Sequence, residues 1–385
     1  MNKHMLRYFT AGETHGKCLT AIIEGIPSGL KLDIGKINND LARRQMGYGR
    51  GGRMLIEKDT AEITSGVRGG ITLGSPITLV IKNRDWENWK EIMGSEYSNG
   101  EKSVTRPRPG HADLSGALKY NHTDMRNVLE RASARETAAR VAVGSVAKQL
   151  TEQFGIKYNT HVLRIGPVAD IYDPSDDNFF EKAQSSPTGF GNAECEKAAM
   201  EYIDSVKAAG DSCGGITEVI VTGVPAGLGS YVQYDRKLDA SLAFAIMSIQ
   251  AIKGVEIGAG FTVAEKNGSD IHDSIYYRNG FYRNTNNAGG IEGGMSNGEP
   301  IVIRAAMKPI PTLYKPLDTV DLKTKSPEKA SVERSDTCAV PACAVVCEAA
   351  AAFELAKAFL EKFSGDCMCD IHNSFESYRK RISEM

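Results

Sequence analysis

The longest apolar stretch of the chain, residues 339–359, constrains the fold most strongly. One proline and three charged residues interrupt it, so it falls short of the roughly 20 mostly apolar residues that a membrane-spanning helix needs. We predict instead a long helix over about 337–363, which ends before Gly365. With 41% hydrophobic and 24% charged residues, the chain has enough apolar surface for a globular core that holds this helix.

Charge and cysteine content exclude several protein classes. The 385 residues carry 46 Lys and Arg against 48 Asp and Glu, which excludes a globally basic nucleic-acid scaffold and a strongly acidic tail. The N-terminal segment has no apolar signal-peptide core. Eight cysteines lack the spacing of a disulfide framework, so we expect reduced thiols and a cytoplasmic location. The following are interpreted as small buried residues rather than a metal site: Cys338, Cys343, Cys347, Cys367 and Cys369.

Local patterns place further helices and strands. One helix begins after Asp33 and ends near Gly47. A second begins with a capping box at residues 133–136, in which the Ser133 hydroxyl and the Glu136 carboxylate each satisfy a free N–H. A third follows Asp235. Strands are predicted at 20–24, 62–67, 76–82, 215–224, 255–263 and 300–306, and a loop at 174–191. This order fits an α/β and an α+β fold equally well.

The segment GETHG at residues 12–16 presents His15 beside the hydroxyl of Thr14. Flanking glycines let the backbone come close to a ligand. The spacing from Gly12 is one residue short of a phosphate-binding P-loop, and Cys18 stands where that motif requires Ser or Thr, so a P-loop is excluded. A His between glycines is more often a turn residue than a catalyst, and His15 is therefore only a candidate on this pattern alone.

Three further segments concentrate cations. RRQMGYGRGGR at 43–53 is an Arg/Gly segment, RPRPGHAD at 106–113 is stiffened by two prolines, and RASARE at 131–136 opens a helix, where an anion is favoured. Solvated basic turns and an ordinary helix cap are the alternatives. Arg forms bidentate bonds to phosphate or carboxylate, so a small anionic ligand is favoured. RNA binding through the Arg/Gly segment is the main rival, which the near-zero net charge disfavours.

Three later segments complete the set: GGIEGGMSNG at 289–298, KPIPT at 308–312 and RSD at 334–336. The Gly-rich segment is not a dinucleotide fingerprint, because no strand–GxGxxG–helix unit surrounds it, and a glycine hairpin is its simpler interpretation. The KPIPT segment offers a cation, a hydroxyl and a rigid backbone. Arg334 and Asp336 directly precede the longest predicted helix.

These seven segments, in this order, resemble chorismate synthase from Met5 to the C-terminal helix. The resemblance implies one domain over residues 1–385 with an α+β fold, a β-α-β sandwich whose antiparallel sheets enclose a layer of helices. It implies a lyase of the shikimate pathway, which makes aromatic amino acids. The implied reaction is the FMN-dependent anti-1,4-elimination of phosphate from 5-enolpyruvylshikimate-3-phosphate to give chorismate, usually in a homotetramer.

The resemblance also implies roles for individual residues. His15 assists the departing phosphate, His111 protonates or charge-balances the reduced flavin, and Asp336 helps the flavin N5 act as a base. Contacts to a substrate or NADP phosphate fall on Arg44, Arg50, Arg53, Arg108 and Arg135. Contacts to the flavin fall on Arg131, Ala132, Ser133, Gln250, Ala251, Gly293, Lys308, Pro309, Ile310, Pro311, Thr312 and Arg334. Thr14 stands where the family usually has Ser, and the hydroxyl is retained.

The cofactor implied is reduced FMN, which is not consumed overall. NADPH is a candidate reductant, as in relatives that reduce their own flavin, but no reductase domain or NADPH fingerprint is recognisable, which favours an external flavin reductase. No metal, nucleic acid or membrane partner is expected. Two alternatives stay open: a flavin-independent lyase or transferase acting on a phosphorylated carboxylic acid, and an RNA-binding protein that uses the Arg/Gly segment.

Overall fold

Helices alternate with antiparallel strands in the computed structural model, which describes residues 6–51, 58–172, 178–278 and 280–385. The helices are α1 Ile34–Gln45, α2 Asp113–Tyr120, α3 Arg126–Ala132, α4 Thr137–Glu152, α5 Phe179–Ser185, α6 Ala193–Ala208, α7 Leu238–Met247, α8 Gly268–Ile271, α9 Val340–Lys362 and α10 Met368–Ser383. The strands are β1 Arg7–Ala11, β2 Cys18–Glu24, β3 Ala61–Ser65, β4 Val67–Arg68, β5 Ile71–Thr72, β6 Ile77–Lys82, β7 Lys157–Ile165, β8 Val168–Ala169, β9 Gly215–Thr222, β10 Ile252–Ile257, β11 Ile275–Tyr277, β12 Phe281–Arg283, β13 Ile291–Glu292, β14 Met295–Ser296, β15 Ile301–Met307, β16 Asp318–Val320 and β17 Pro327–Lys329.

Two antiparallel sheets enclose a layer of helices. The first sheet has the order β1-β2-β6-β3 and the second has the order β10-β15-β9-β7-β8. Helix α4 packs on β2 and β6 of the first sheet, and α9 packs on β7 and β9 of the second, while α1 and α7 contact α9. Each sheet thus buries one face against the helices. This arrangement confirms the α+β sandwich expected from the sequence.

Helix α9 lies at the centre of the helical layer because its small side chains let neighbours approach closely. It spans Val340–Lys362, close to the predicted range. Gly144 of α4 faces Ala349 of α9, and a Cβ at position 144 would clash with the Ala349 backbone. No helix in the described part of the chain is both long and apolar enough to cross a membrane.

Buried charges join three helices of this layer. Glu348 of α9 pairs with Arg43 of α1 at 2.8 Å and with Lys148 of α4 at 2.7 Å. Asp40 accepts from the same Arg43 at 2.9 Å. Burial opposes ionisation of Glu348, but Lys148 and Arg43 lower its pKa to about 2. Glu348, one of the three charged residues that interrupt the apolar stretch, therefore forms ion pairs inside the core. Arg43 of the Arg/Gly segment is one of its partners.

The predicted helix starts are partly correct. Asp33 caps α1 by accepting from the N–H of Gly35 at 2.7 Å. Ser133 accepts from the N–H of Arg135 at 3.3 Å, which is one half of the predicted capping box. The other half is wrong, because the Glu136 carboxylate accepts from Thr10 at 2.7 Å and from Arg140, one turn along the same helix, at 2.9 Å. A charged partner competes better for the carboxylate than a backbone N–H.

Two other local predictions are wrong. The strand predicted over 255–263 ends at Ile257, because Gly258 and Gly260 take positive φ angles, and a 3₁₀ turn over Gly260–Glu265 follows. The loop predicted over 174–191 contains helix α5, which buries Phe179 and packs on β7. The first difference follows from the backbone angles of the two glycines, and the second arises because the segment packs Phe179 against the sheet.

The cysteines divide into two groups, and all eight are free thiols. Cys338, Cys343 and Cys347 are buried around the start of α9, as predicted. The burial predicted for Cys367 and Cys369 is wrong, since Cys367 is partly exposed and Cys369 is exposed. These two residues flank the start of α10, which instead buries Met368, Ile371 and Phe375.

Candidate active site

His15 lies in the loop between β1 and β2 and rests against helix α3. Its ring Nδ1 is 2.8 Å from Oε1 of Glu130, and its backbone N–H donates to Oε2 of the same carboxylate at 2.8 Å. The His15 ring stacks on Trp89, with ring centroids 3.6 Å apart. Thr14 donates its backbone N–H and its hydroxyl to the Glu130 carbonyl, at 2.9 and 2.8 Å. One residue of α3 therefore holds the whole tip of this loop.

Glu130 is itself held in the ionised state. Its side chain is buried, and Arg126, one turn earlier on α3, donates to Oε1 at 3.2 Å. Burial opposes ionisation, but the hydrogen bonds from His15 and the charge of Arg126 hold the pKa of Glu130 below its usual range. Arg126 also donates to Glu333 at 2.9 Å, which connects α3 to the segment that precedes α9.

His111 is held by an acidic partner in the same way. Its Nδ1 is 2.6 Å from Oδ1 of Asp113, and Arg108 donates from Nε to the other oxygen of Asp113 at 2.8 Å. Burial opposes ionisation, but His111 and Arg108 hold the pKa of Asp113 well below its usual range. Arg108 also donates to the hydroxyl of Thr312, and Lys308 donates to the backbone of the His111 loop, each at 2.8 Å. The RPRPGHAD and KPIPT segments thus form one contact group.

Asp336 contacts the Arg/Gly segment. Its Oδ1 accepts from the backbone N–H of Gly51 at 2.6 Å, and its Oδ2 is 3.1 Å from Nε of Arg50. The Gly49 carbonyl accepts from the N–H of Thr337 at 2.8 Å. These contacts place the end of the Arg/Gly segment beside the residues that precede α9.

Two more of the predicted phosphate-binding arginines share one carboxylate. Arg44 and Arg135 lie 3.7 and 2.5 Å from Oδ2 of Asp59. Arg44 also donates to Thr137 at 2.9 Å. Arg53 lies outside the described residues, so its predicted role stays a prediction.

The predicted flavin contacts are joined through Thr10. Arg131 donates to the Thr10 hydroxyl at 2.7 Å, and this hydroxyl donates to Glu136 at 2.7 Å. Gln250 donates to the same Glu136 at 3.3 Å. Ala132 and Ser133 follow Arg131 directly at the junction of α3 and α4. The structure therefore connects the motif at the start of α4 with the turn after α7.

The turn after α7 has a backbone and a side chain that suit a ligand. Ala251 has φ +70°, which a non-glycine residue rarely adopts, and its carbonyl accepts from the N–H of Lys308 at 2.9 Å. The Gln250 side-chain oxygen is buried and accepts no hydrogen bond within the described chain. A Cβ at Gly293 would meet no atom within 4 Å in the described chain, so open space borders this backbone. An orphaned buried acceptor is rare in a folded protein and fits a ligand that brings an N–H donor.

The segment 331–336 joins these groups. Ser331 donates to the carbonyl of Arg106 in the RPRPGHAD loop at 2.9 Å. Glu333 accepts from Arg126, which in turn holds the partner of His15, and Asp336 contacts Arg50. Arg334 of this segment is exposed and makes no ion pair with any described residue. One short segment thus contains Asp336, contacts the loop of His111 and reaches His15 indirectly, through Arg126 and Glu130.

Comparison with known proteins gives one consistent result. A family model described as chorismate synthase matches residues 6–360. The chain is 59% identical to the chorismate synthase of Geobacter metallireducens, covering 97% of this chain and 98% of the relative. It is 57% identical to that of Moorella thermoacetica, covering 99% and 100%. A crystal structure of a chorismate synthase matches with a TM-score of 0.80 and 45% identity over 99% of both chains. The chain belongs to the chorismate synthase family.

Membership of the chorismate synthase family confirms the resemblance inferred from the sequence and disfavours RNA binding. The geometry agrees with this outcome, because the described arginines of the Arg/Gly segment turn toward acids of the protein. Arg43 pairs with Glu348, Arg44 with Asp59, and Arg50 with Asp336. A segment that binds RNA would instead present its cations to solvent.

Sequence reasoning missed the residues that hold the candidate catalytic side chains in this chorismate synthase relative. Arg126 and Glu130 stand four residues apart on α3, a spacing that signals an intrahelical ion pair. Nothing in the sequence connects Glu130 with His15, which lies 115 residues earlier, or connects either of them with Trp89. Among the residues that hold these side chains, Asp113, Arg108 and Arg50 stood inside motifs that the sequence had already singled out.

Proposed function

We propose that this chain catalyses the chorismate synthase reaction, in which phosphate leaves 5-enolpyruvylshikimate-3-phosphate by anti-1,4-elimination and chorismate forms in the shikimate pathway. The observation that carries this proposal is the segment 331–336, which contains Asp336, contacts the loop of His111 and is connected through Arg126 to the Glu130 carboxylate that holds His15. Near-full-length similarity to relatives of that name supports the same reaction.

The substrate sets the electrostatic demand on the site. It carries two carboxylates and a phosphate, about four negative charges near neutral pH. Arg keeps its charge in a desolvated site, whereas Lys can lose it. We assign the first contact with this polyanion to Arg334, which is exposed and makes no ion pair within the described chain, and further contacts to Arg44 and Arg135, which converge on Asp59. Arg50, Arg53 and Arg108 complete the proposed phosphate contacts.

The three candidate catalytic side chains take their proposed roles from their partners. Glu130 occupies Nδ1 of His15, so a proton for the departing phosphate is given from Nε2. Asp113 and Arg108 hold His111 at its Nδ1 side and keep its ring in one orientation. Asp336 is held by Arg50 and by the backbone N–H of Gly51, which fix the orientation of its carboxylate for its proposed role in supporting a base.

The residues around Gln250 fit the proposed cofactor, reduced FMN. The buried side-chain oxygen of Gln250 is an acceptor for an N–H of a planar heterocycle, and the Arg131 guanidinium is fixed on Thr10. The remaining proposed contacts are Ala132, Ser133, Ala251, Gly293, Lys308, Pro309, Ile310, Pro311, Thr312 and Arg334. When bound, reduced flavin lends electron density to the transition state and recovers it, so it is not consumed overall.

An anaerobic assay tests the proposal. Purified protein is mixed with dithionite-reduced FMN and 5-enolpyruvylshikimate-3-phosphate, and phosphate release and chorismate absorbance are followed together. We expect both products in equal amounts and only when reduced FMN is present. Turnover without flavin would favour a flavin-independent lyase, and absence of turnover with salt-sensitive RNA retention would favour the RNA-binding alternative.

We propose further that the enzyme is a single-domain cytoplasmic homotetramer that receives reduced flavin from an external reductase. Free cysteines support the location. Exposed apolar side chains on the β11–β12 hairpin support assembly: Ile275, Tyr277 and Phe281 are 61%, 64% and 64% exposed. Light scattering tests the oligomer. An anaerobic assay with NADPH and oxidised FMN tests the reductant, since turnover without an added reductase would show that the enzyme reduces its own flavin.

A further inference from the structure

We propose that Glu130 is the positioning residue that sets the tautomer and the charge of His15, in contact with the imidazole and not with the substrate. This inference rests on the proposed function, because it concerns the proton that His15 gives to the departing phosphate. The charge of His15 can also be followed in the free protein, with neither flavin nor substrate present.

The hydrogen bonds fix the ring from two sides. The Glu130 carboxylate accepts from the His15 backbone N–H and contacts ring Nδ1, both at 2.8 Å. A carboxylate accepts only, so neutral His15 must carry its proton on Nδ1, and Nε2 is then the atom that exchanges a proton with a ligand. The Glu130 carbonyl holds Thr14 as well, at 2.8 Å from its hydroxyl.

Ring stacking restricts the remaining freedom of His15. The indole of Trp89 lies 3.6 Å from the imidazole, centroid to centroid, with the two planes 17° apart. Asp85 accepts from the indole N–H at 3.0 Å and keeps Trp89 in place. The imidazole therefore has one plane, one tautomer and 14% of its side chain exposed, which is enough for a proton to leave or arrive.

The charges that face this pair come from several elements. Glu130 is the anion nearest the ring, and Arg126 donates to it from the same helix at 3.2 Å. Glu333 accepts from Arg126 at 2.9 Å and so offsets its charge. Lys102 lies 3.8 Å from the centroid of the Trp89 ring. The carboxylate is the only one of these groups in direct contact with the imidazole among the described interactions, so removal of its charge disfavours imidazolium.

The chain contains its own probe of His15 protonation. Trp86 and Trp89 are its two tryptophans, and a protonated imidazole stacked on an indole quenches the fluorescence of that indole. In a Trp86→Phe background, we expect fluorescence to fall as the pH is lowered and His15→Ala to abolish this fall. Glu130→Gln is expected to move the midpoint about one unit to lower pH, since an opposite charge is lost. Glu130→Asp, which keeps the charge, is expected to return the midpoint toward wild type.

Glu218→Gln is the matched control, because Glu218 pairs with His161 at 3.0 Å in the second sheet. It removes a buried carboxylate from a His–Glu pair and is expected to leave the fluorescence midpoint unchanged. An unchanged midpoint in Glu130→Gln, or a pH transition that survives His15→Ala, would overturn the proposal. Failure of Glu130→Asp to restore the midpoint would assign the effect to packing and would overturn it too.

Kinetics test the consequence for the reaction. Glu130→Gln is expected to lower kcat by about 10- to 100-fold, and Glu130→Gln with His15→Ala should be no slower than His15→Ala alone, because the two residues act as one unit. Additive losses would show that Glu130 acts elsewhere, against the proposal. A wild-type enzyme that does not turn over would contradict the proposed function, while the fluorescence titration would still decide the role of Glu130.

Discussion

Two His–Glu pairs with a buried carboxylate occur among the described residues, and they differ in what surrounds the imidazole. His15 sits on a loop with 14% of its side chain exposed, whereas His161 sits inside strand β7 and is fully buried. The second oxygen of Glu130 accepts from the backbone N–H of His15, but the second oxygen of Glu218 accepts from Arg304 on the neighbouring strand at 2.7 Å. The first pair fixes a partly exposed ring on a loop, and the second joins strands.

The surroundings of His161 explain why this pair is structural. Its ring lies edge-on against Phe179 and Phe180, and its Nδ1 is buried without a hydrogen bond in the described chain. A cavity of about 40 Å³ borders it, which suits ordered water rather than a substrate with three anionic groups. The His15 side chain thus stays partly exposed on its loop, whereas the His161 side chain is enclosed. Substitutions in the His15 pair should therefore lower mainly turnover, whereas substitutions in the His161 pair should lower mainly the stability of the fold.

The largest expected effect is on turnover at the first pair. His15→Ala and, in the second contact group, His111→Ala should each lower kcat by about 10- to 1000-fold with FMN binding retained, the usual scale for acid–base groups. His161→Gln should leave kcat unchanged and lower the melting temperature. Steady-state kinetics, FMN titration and thermal melts check these three variants. Near-wild-type rates in both His15→Ala and His111→Ala would contradict the catalytic roles assigned to these two residues. The functional difference between the His15 and His161 pairs would then be lost.

A smaller effect is expected at the carboxylate that contacts the Arg/Gly segment. Asp336→Asn removes a charge held by Arg50 and Gly51, and it should lower kcat by about 10- to 100-fold while changing the FMN Kd much less. Anaerobic kinetics and fluorescence titration with FMN measure the two quantities separately. A change in Kd alone would place Asp336 in cofactor binding and would contradict the assigned role.

Glu218 should affect stability rather than chemistry. Burial opposes its ionisation, but His161 and Arg304 hold the pKa of Glu218 below its usual range, so the ionised form stabilises the folded state at neutral pH. Glu218→Gln should reduce the free energy of unfolding by about 1–3 kcal/mol at pH 7. This contribution is present above the unfolded pKa and is lost as the pH falls through the folded pKa. The difference between wild type and variant should therefore shrink below about pH 4.5. A difference in the free energy of unfolding that grows as the pH falls would contradict this prediction.

The smallest effect is expected at Thr14. Thr14→Ser keeps the hydroxyl that donates to the Glu130 carbonyl, so kcat should stay within about twofold of wild type. Thr14→Val keeps the shape, loses this hydrogen bond and should cost about 1 kcal/mol of stability. Parallel melts and kinetics of the two variants isolate the hydroxyl. Equal behaviour of Ser and Val would show that the hydroxyl does not hold the His15 loop.

Secondary structure could be predicted from the sequence where it depends on local interactions, and less well where it depends on contacts between distant residues. The long helix, the cap at Asp33 and most strands were predictable because they depend on residues within one or two turns. The incomplete capping box was not predictable, because the Glu136 carboxylate bonds to Thr10 of strand β1, which is distant in the sequence. Helix α5 was missed for the same reason, since its one apolar face becomes visible only when β7 covers it.

The candidate site divides in the same way. The motifs that contain His15, His111 and Asp336 were visible from glycine and proline spacing and from resemblance to a known family. Glu348 was visible only as an interruption of an apolar stretch, and the structure pairs it with Arg43 and Lys148. The spacing of glycine and proline indicates which side chains a loop presents, because these residues set the backbone angles of the loop.

The sequence alone therefore determined the family, the helical centre of the core and the chemical groups brought to the site. Tertiary structure alone decided that Glu130 meets His15, that Glu218 meets His161, and that the segment before α9 contacts the RPRPGHAD loop, helix α3 and the Arg/Gly segment. The physical reason is that hydrogen bonds and charges act over a few ångströms in space. Distances of that size between residues far apart in the sequence exist only once the chain has folded.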